Sequence, residues 1–297
     1  MYNNVTKNEY GFYTLKELPT DEERKNYYKE KYYQEGKGSY EVNYTEEELC
    51  FFEEKLEQRY IIIKENLHIN YKDCSDISLL DVGCGEGFAL VFFRKKGFAV
   101  LGLDYSDAGI KNHNIGVLDN VMIGDIYNSI ISLIANGSRF DIVNMDNVLE
   151  HVVDPKYLLE NVCTLLNDGG IVVIEVPNDF SYLQEYFWNH GIIKKDYWVV
   201  PLDHISYFNK VGLINLCKDV GLNCVDYLSD ILIEFSALNP NTNYFENKSV
   251  GKSCHFARIA QEHIFHSISP KKTIELYRIL GEMELGRSII GIFQKER

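Results

Sequence analysis

Between residues 76 and 178 the chain alternates short apolar runs with longer stretches of helical periodicity. "SLLDVG" reads as a strand and "GFALVFFRKKG" as a helix that stops at Gly97. "AVLGLDYS" is a strand, "DAGIKNHNIG" a short helix and "VMIGDIYN" a strand. "FDIVNMDNVLEH" contains a fourth strand, "PKYLLENVCTLLNDGG" a helix with a Gly-Gly stop, and "IVVIEVPND" a fifth strand. Runs rich in Val, Ile and Leu with helices between them predict a parallel sheet covered on both faces.

The flanks differ. The first 70 or so residues read as charged helices: "TDEERKNYYKEKYYQE", a glycine break, then "TEEELCFFEEKLEQRYIIIKENL". Thr20, Asp21 and Thr45, followed by acids in the first turn, are helix starts. After Pro177 the pattern loosens into the aromatic stretch "DFSYLQEYFWNHGIIKKDYWVVPLDHISYFN". A helix "KVGLINLCKDVG" and a strand "LNCVDYLSD" follow, then an insertion holding two helices, and "RSIIGIFQKE" reads as a last edge strand. The expected organisation is a helical N-terminal segment over 1–75, an α/β core over 76–230, a helical insertion over 231–286 and a final core strand over 287–297.

Composition narrows the function. The 297 residues are 45% apolar with a net charge of −14, so a chain this acidic disfavours a nucleic-acid partner. The apolar runs are too short to span a bilayer and the first residues lack an apolar signal core, so the expectation is a cytoplasmic protein with no membrane partner. The seven cysteines are scattered, odd in number and without a C-x-x-C pair. Reduced thiols are expected, with no zinc knuckle and no metal.

The candidate chemistry sits at strand ends. Asp81 closes the first strand, and Gly83, Gly85 and Gly87 form the turn into the helix. Glycines there supply positive φ or let a ligand approach the main chain. Asp104 ends the next strand ~20 residues on, where an acid reaches a ribose diol, and Asp125 ends the third. A nicotinamide dinucleotide favours G-x-G-x-x-G and phosphate over the helix. Here the turn is G-x-G-x-G behind an acid, which suits a cationic, phosphate-free ligand such as S-adenosylmethionine. An NAD(P)-dependent oxidoreductase and a non-catalytic cofactor-binding scaffold remain the rival readings.

"LLDVGCGEGFAL", "LGLDYS", "GDIYN" and "FDIVNMDNVLEHVVDPKYLLENVCTLLNDGGIVVIEVPN" together resemble the class I S-adenosylmethionine-dependent methyltransferases. The resemblance implies a Rossmann-like seven-stranded sheet whose last strand is antiparallel. It implies that Asp81, Gly83, Gly85 and Gly87 hold the methionine end, with Asp146 near the amino group. It assigns Asp104 to the ribose and Asp125 with Ile126 to the adenine, and Tyr105 beside Asp104 is a further cofactor-binding candidate. The tyrosine-rich "YYKEKYY" is similar to the lid of many members, with Tyr33 the candidate to close over the cofactor.

Beyond Pro177 the chain is similar to methyltransferases of bacterial surface-polysaccharide and sugar pathways. That implies O-methylation of a small polar acceptor such as a sugar, sugar nucleotide or phosphorylated precursor, with S-adenosylhomocysteine as product; the sequence leaves the oligomeric state open, a homodimer included. His204, beside Asp203 and near Tyr207, is the candidate base, because an imidazole suits removal of a hydroxyl proton. His151 is the alternative, with packing or capping an equal reading. Asn178, Asp179 and Gln184 are candidate hydrogen-bond partners for the acceptor, with turn chemistry as the competing role. Trp198 could stack on it or pack in the core. His263 and His266 have H-x-x-H spacing but read as a solvated helix face.

Overall fold

The computed structural model describes residues 4–20, 22, 23, 27, 43–67 and 74–295. In chain order these form β1 (Val5–Lys7), β2 (Tyr13–Leu15), α1 (Glu46–Asn66), β3 (Ser78–Val82), α2 (Phe88–Lys95), β4 (Ala99–Asp104), α3 (Ala108–His113), β5 (Val121–Ile123) and α4 (Ile126–Ala135). Then come β6 (Phe140–Asp146), α5 (Pro155–Leu165), β7 (Leu166–Pro177), α6 (Tyr182–Asn189), β8 (Ser206–Tyr207), α7 (Lys210–Asp219), β9 (Leu222–Ser229), α8 (Gly251–Ile268), α9 (Pro270–Glu282) and β10 (Ser288–Lys295).

Seven strands make the main sheet in the order β5-β4-β3-β6-β7-β10-β9. β3 pairs in parallel with β4 on one side and β6 on the other. The chain winds outward from β3 to β5 and then returns to β3's other flank, so the topological switch falls between β3 and β6. Ligands of open α/β sheets bind beyond the carboxyl ends of the strands at such a point.

Alternation along the strands feeds two layers. Leu80, Val82, Val143, Met145, Val172 and Ile174 point to one face and pack with α4, α5 and α7. Leu79, Ile142, Ile171 and Val173 point to the other and pack with α1, α2 and α9. All ten are fully buried, each contributing about 1.5–3 kcal/mol from burial. The helix starts are chemical as well: Thr45 and Glu48 form a capping box on α1, and Asp154 caps α5 with Pro155 in its first turn.

The structure departs from the sequence reading at four places. Residues 4–20 hold β1 and β2, which with β8 form a separate three-stranded antiparallel sheet, where helix was expected. β10 is no edge strand: it lies between β7 and β9, antiparallel to both, and β9 is the edge. β7 begins at Leu166, so "LNDGG" belongs to the strand and not to the preceding helix. β5 ends at Ile123, which makes Asp125 the cap of α4. The expected antiparallel last strand is present, and so are both insertion helices. Among the described residues no helix is long and apolar enough to cross a membrane.

Candidate active site

The turn after β3 is built on left-handed backbone. Gly83, Gly85 and Gly87 have φ of 73°, 53° and 77°, values that side-chain-bearing residues rarely adopt. A Cβ on Gly83 would also stand 2.6 Å from Val148, so the turn is bare for steric as well as conformational reasons. The Gly85 amide donates to Asp104 Oδ2 at 2.8 Å and the Ser106 amide to Oδ1 at 3.0 Å. This fixes the Asp104 carboxylate while each oxygen keeps a lone pair for a diol. Burial raises the Asp104 pKa above the ordinary range, against those amide bonds. Tyr105 beside it is exposed.

Asp81 is buried under the turn and accepts from Asn144 Nδ2 at 2.7 Å. Burial pushes its pKa up to about 7, with the Asp146 carboxylate adding to the effect and Asn144 opposing it. Such a group gains charge readily when a cation arrives. Asp146 ends β6 and pairs with Arg59 Nη1 at 3.2 Å. Asp125 is exposed and takes the Asn128 amide at 3.0 Å through its side chain, with Ile126 opening the helix behind it.

Sequence reasoning missed the cations that answer these acids. Arg59, buried on α1, also reaches Asn144 at 3.0 Å and the Glu175 carboxylate. Lys55, one turn earlier, lies 3.6 Å from Glu175 and 3.7 Å from Asp230. Burial works against the Glu175 charge, but Lys55 and Arg59 hold its pKa below the usual range. Tyr44 was also missed. Its hydroxyl donates to the Glu86 carboxylate of the glycine turn at 2.9 Å, and His113 Nε2 stands 3.3 Å from the same group. Tyr33, the expected lid tyrosine, lies outside the described residues.

Beyond β6 and β7 a cavity of about 580 Å³ opens, lined in part by Glu150, His151, Asn178, Asp179, Gln184, Trp198, Asp203, His204 and Arg287. Two loops converge on it. The Ile205 and Ser206 amides both donate to the Glu150 carbonyl, at 2.7 and 3.1 Å. The ring of His204 then meets that of His151 edge-on, 4.9 Å between centroids. The N-terminal sheet holds the same loop from behind: Tyr13 pairs with Tyr207, and the Leu15 amide donates to Ile205 O at 3.1 Å. Asn147, Phe180 and Leu202, next to the lining side chains, have φ of 53°, 54° and 81°. Non-glycine backbone in that region costs about 1–3 kcal/mol and collects at functional sites.

The expected acceptor residues divide by what already occupies them. Asp179 is buried, its pKa pushed up to about 8 by burial, and among the described residues its Oδ2 accepts no hydrogen bond. Trp198 lines the cavity and packs edge-on against Phe180 and Tyr197. Asn178 gives its amide to the Glu284 and Gly286 carbonyls at 3.3 and 3.1 Å, leaving its side-chain oxygen for a ligand. Gln184 is partly engaged in the α6 capping box with Ser181. Tyr207 is a correction: it is fully buried in β8, does not line the cavity, and donates its hydroxyl to the His204 carbonyl at 2.9 Å. His263 bonds Glu54 at 2.6 Å and His266 bonds Gln58 at 3.2 Å, so both face α1.

A left-handed glycine cradle at the switch point, an acid at the next strand end and a buried acid awaiting a cation fit a ligand with a ribose and a positive centre and no phosphate. That is the donor set of a methyltransferase. A family model described as a methyltransferase domain matches residues 52–227, more than half the chain, and the protein belongs to this family. Its fold is the Rossmann-like fold of the S-adenosylmethionine-dependent methyltransferases, and S-adenosylmethionine is the cofactor its site fits. Among curated proteins the chain is similar to a ubiquinone biosynthesis O-methyltransferase of Colwellia psychrerythraea, 29% identical over 160 residues, covering 51% of this chain and 63% of that one. It is also similar to one of Rickettsia typhi, 30% identical over 148 residues, covering 49% and 58%. The chain therefore matches less than two thirds of the length of these relatives. Among solved structures, the plantazolicin methyltransferase BamL superposes with a TM-score of 0.50 at 14% identity, over 83% of this chain and 85% of that one. This is a likeness of fold.

Proposed function

We propose that the protein methylates a hydroxyl of a small polar acceptor, with S-adenosylmethionine as donor and S-adenosylhomocysteine as product. The observation that carries this is the cavity beside the cofactor edge, whose wall offers hydrogen-bonding side chains from both flanking loops. Such a wall suits a hydroxyl-rich acceptor: a sugar, a sugar nucleotide or a phosphorylated precursor of a surface polysaccharide. The names of the curated relatives support oxygen as the atom methylated, and the hydrogen-bonding side chains set among the aromatic and aliphatic ones of the wall support a carbohydrate-like acceptor.

The donor, when bound, supplies a methyl group already activated by a sulfonium. Asp81 and the glycine turn would hold its methionine end, Asp104 its ribose and Asp125 with Ile126 its adenine. The chain's remaining work is to position the acceptor and take up its proton. His204 stands in the cavity wall for that purpose, its loop pinned by the two bonds to the Glu150 carbonyl. Asp179 and the free oxygen of Asn178 hold the acceptor's other polar groups.

The test is a methyl-transfer assay against a panel of sugar nucleotides and phosphorylated sugars, read by mass. On the accepted compound His204→Ala should lower kcat by ~10²–10⁴ and leave S-adenosylhomocysteine affinity nearly unchanged. Wild-type turnover in that variant would remove His204 from the mechanism.

A further inference from the structure

Glu150 stands in the cavity wall with a buried carboxyl group. It is 1% exposed, and among the described residues neither carboxylate oxygen finds a hydrogen-bond donor. An unpaired buried carboxylate is costly, so its retention asks for a partner. His151 Nε2 lies 3.8 Å from Glu150 Oε1. The other ring nitrogen, Nδ1, is 2.6 Å from the Asp203 carbonyl. A carbonyl only accepts, so Nδ1 carries a proton, and in the neutral ring Nε2 is the nitrogen with a lone pair on the Glu150 side. A histidine held at its far nitrogen by a carbonyl is how proteins orient a metal-binding imidazole. His204 completes the set: one ligand-capable atom from each of Glu150, His151 and His204 lies within 4.8 Å of the others.

We propose that Glu150, His151 and His204 form a three-ligand site for a divalent transition-metal ion, open on its remaining side to the acceptor cavity. Two imidazoles and one carboxylate are the donor set of zinc, cobalt, manganese and iron(II) and not of magnesium or calcium, which favour all-oxygen cages. Ligand bonds of about 2.0–2.2 Å require the three side chains to draw closer around the ion, a matter of side-chain rotation because the two loops are already fastened. This rests on the acceptor reading above and changes the expectation of a metal-free site. With the ion in place an acceptor hydroxyl can occupy the open position and ionise there. Its proton leaves to solvent, the new carbon–oxygen bond forms as the carbon–sulfur bond breaks, and the electron pair departs on sulfur. His204 is then a ligand, and loss of it slows the reaction by loss of the ion.

The test uses the full chain without an affinity tag, stripped by a chelator and titrated with Co²⁺. The surface trio Cys50, Glu54 and His263 has the same spacing, so the titrations are done in a His263→Ala background. The expected result is one equivalent bound with visible d–d absorption, and affinity lower in Glu150→Gln and in His204→Gln by more than the ~10- to 100-fold that loss of an outer-shell partner costs. S-adenosylhomocysteine binding checks that each variant is folded, and His204→Gln carries the test if Glu150→Gln fails to fold. A protein that binds S-adenosylhomocysteine but shows no Co²⁺ band, or an equal band in both variants, overturns the metal site and leaves the methyltransferase reading standing. Absence of S-adenosylhomocysteine binding sinks the methyltransferase reading and leaves the Co²⁺ result interpretable. A stripped enzyme with full turnover makes His204 a simple base and overturns the metal's part.

Discussion

Replacing Asp179 by asparagine should make the protein more stable, by an amount that grows with pH. The carboxyl is 3% exposed and its pKa is pushed up to about 8 from an ordinary 3.8. In the unfolded chain it ionises near ~3.9. From about pH 4 to pH 8 the native state therefore keeps a proton that the unfolded state has lost. Stability must fall as pH rises through that window, by about 1.4 kcal/mol per unit. Below the unfolded pKa the penalty is absent, and above the folded pKa it is complete. Asp179→Asn keeps the size and the hydrogen-bonding capacity but has nothing to ionise. Relative to wild type the variant should gain up to about 4 kcal/mol between pH 5 and pH 8. Urea denaturation at pH 5, 6.5 and 8 measures this directly, with an unchanged m-value showing that the same transition is followed. Other buried acids, Asp81 among them, titrate in both proteins and cancel in the difference where they do not couple to the site. Stability curves that run parallel from pH 5 to pH 8 would refute the claim that Asp179 is held neutral.

Other outcomes follow from the cofactor edge. Asp104→Ala should weaken S-adenosylhomocysteine binding roughly ten- to a hundredfold by calorimetry, the loss of a charge-assisted contact worth ~1.5–3 kcal/mol; unchanged affinity in a folded variant would misplace the site. Arg59→Met leaves Asp146 and the buried Glu175 with one cation fewer and should cost about 3–5 kcal/mol of stability, read by denaturant midpoint. Gly83→Ala combines a φ of 73° with a Cβ 2.6 Å from Val148; it should lower Tm and cofactor affinity together, and normal values for both would mean the turn relaxes freely.

The glycine turn and the acids at the strand ends were legible because their pattern is local. Asp81, the three glycines and Asp104 each sit at the end of an apolar run, and the parallel sheet brings successive strand ends to one edge. Arg59 and Lys55 were hidden in a helix dense with charge, where cations read as solvated. The available signal was their position: Phe51, Lys55, Gln58, Arg59 and Ile62 fall at i, i+4, i+7, i+8 and i+11, one stripe of the helix. Glu150 was passed over beside His151 for a similar reason, since nothing in "NVLEH" says which polar residue points inward. Tyr207 was misassigned because its burial comes from pairing with β2, almost two hundred residues away in sequence. The place of β10 could have been read more closely: "SIIGIF" is apolar on both faces, which is the pattern of an interior strand and not of an edge, where charges are usual.

The interior position of β10 has a consequence for how the chain is made. Its two partners, β7 and β9, are both synthesised before it, yet neither can pair on that side until it arrives. Between Pro177 and Ser288 a ribosome works for roughly 5–20 s. Throughout that interval one flank of β7, fully apolar from Ile171 to Ile174, is a row of unpaired amides and carbonyls open to any other strand. Nascent chains crowded on one messenger would meet at that flank, so slow translation or heat during synthesis should harm the yield of this protein more than the same stress applied to the finished molecule.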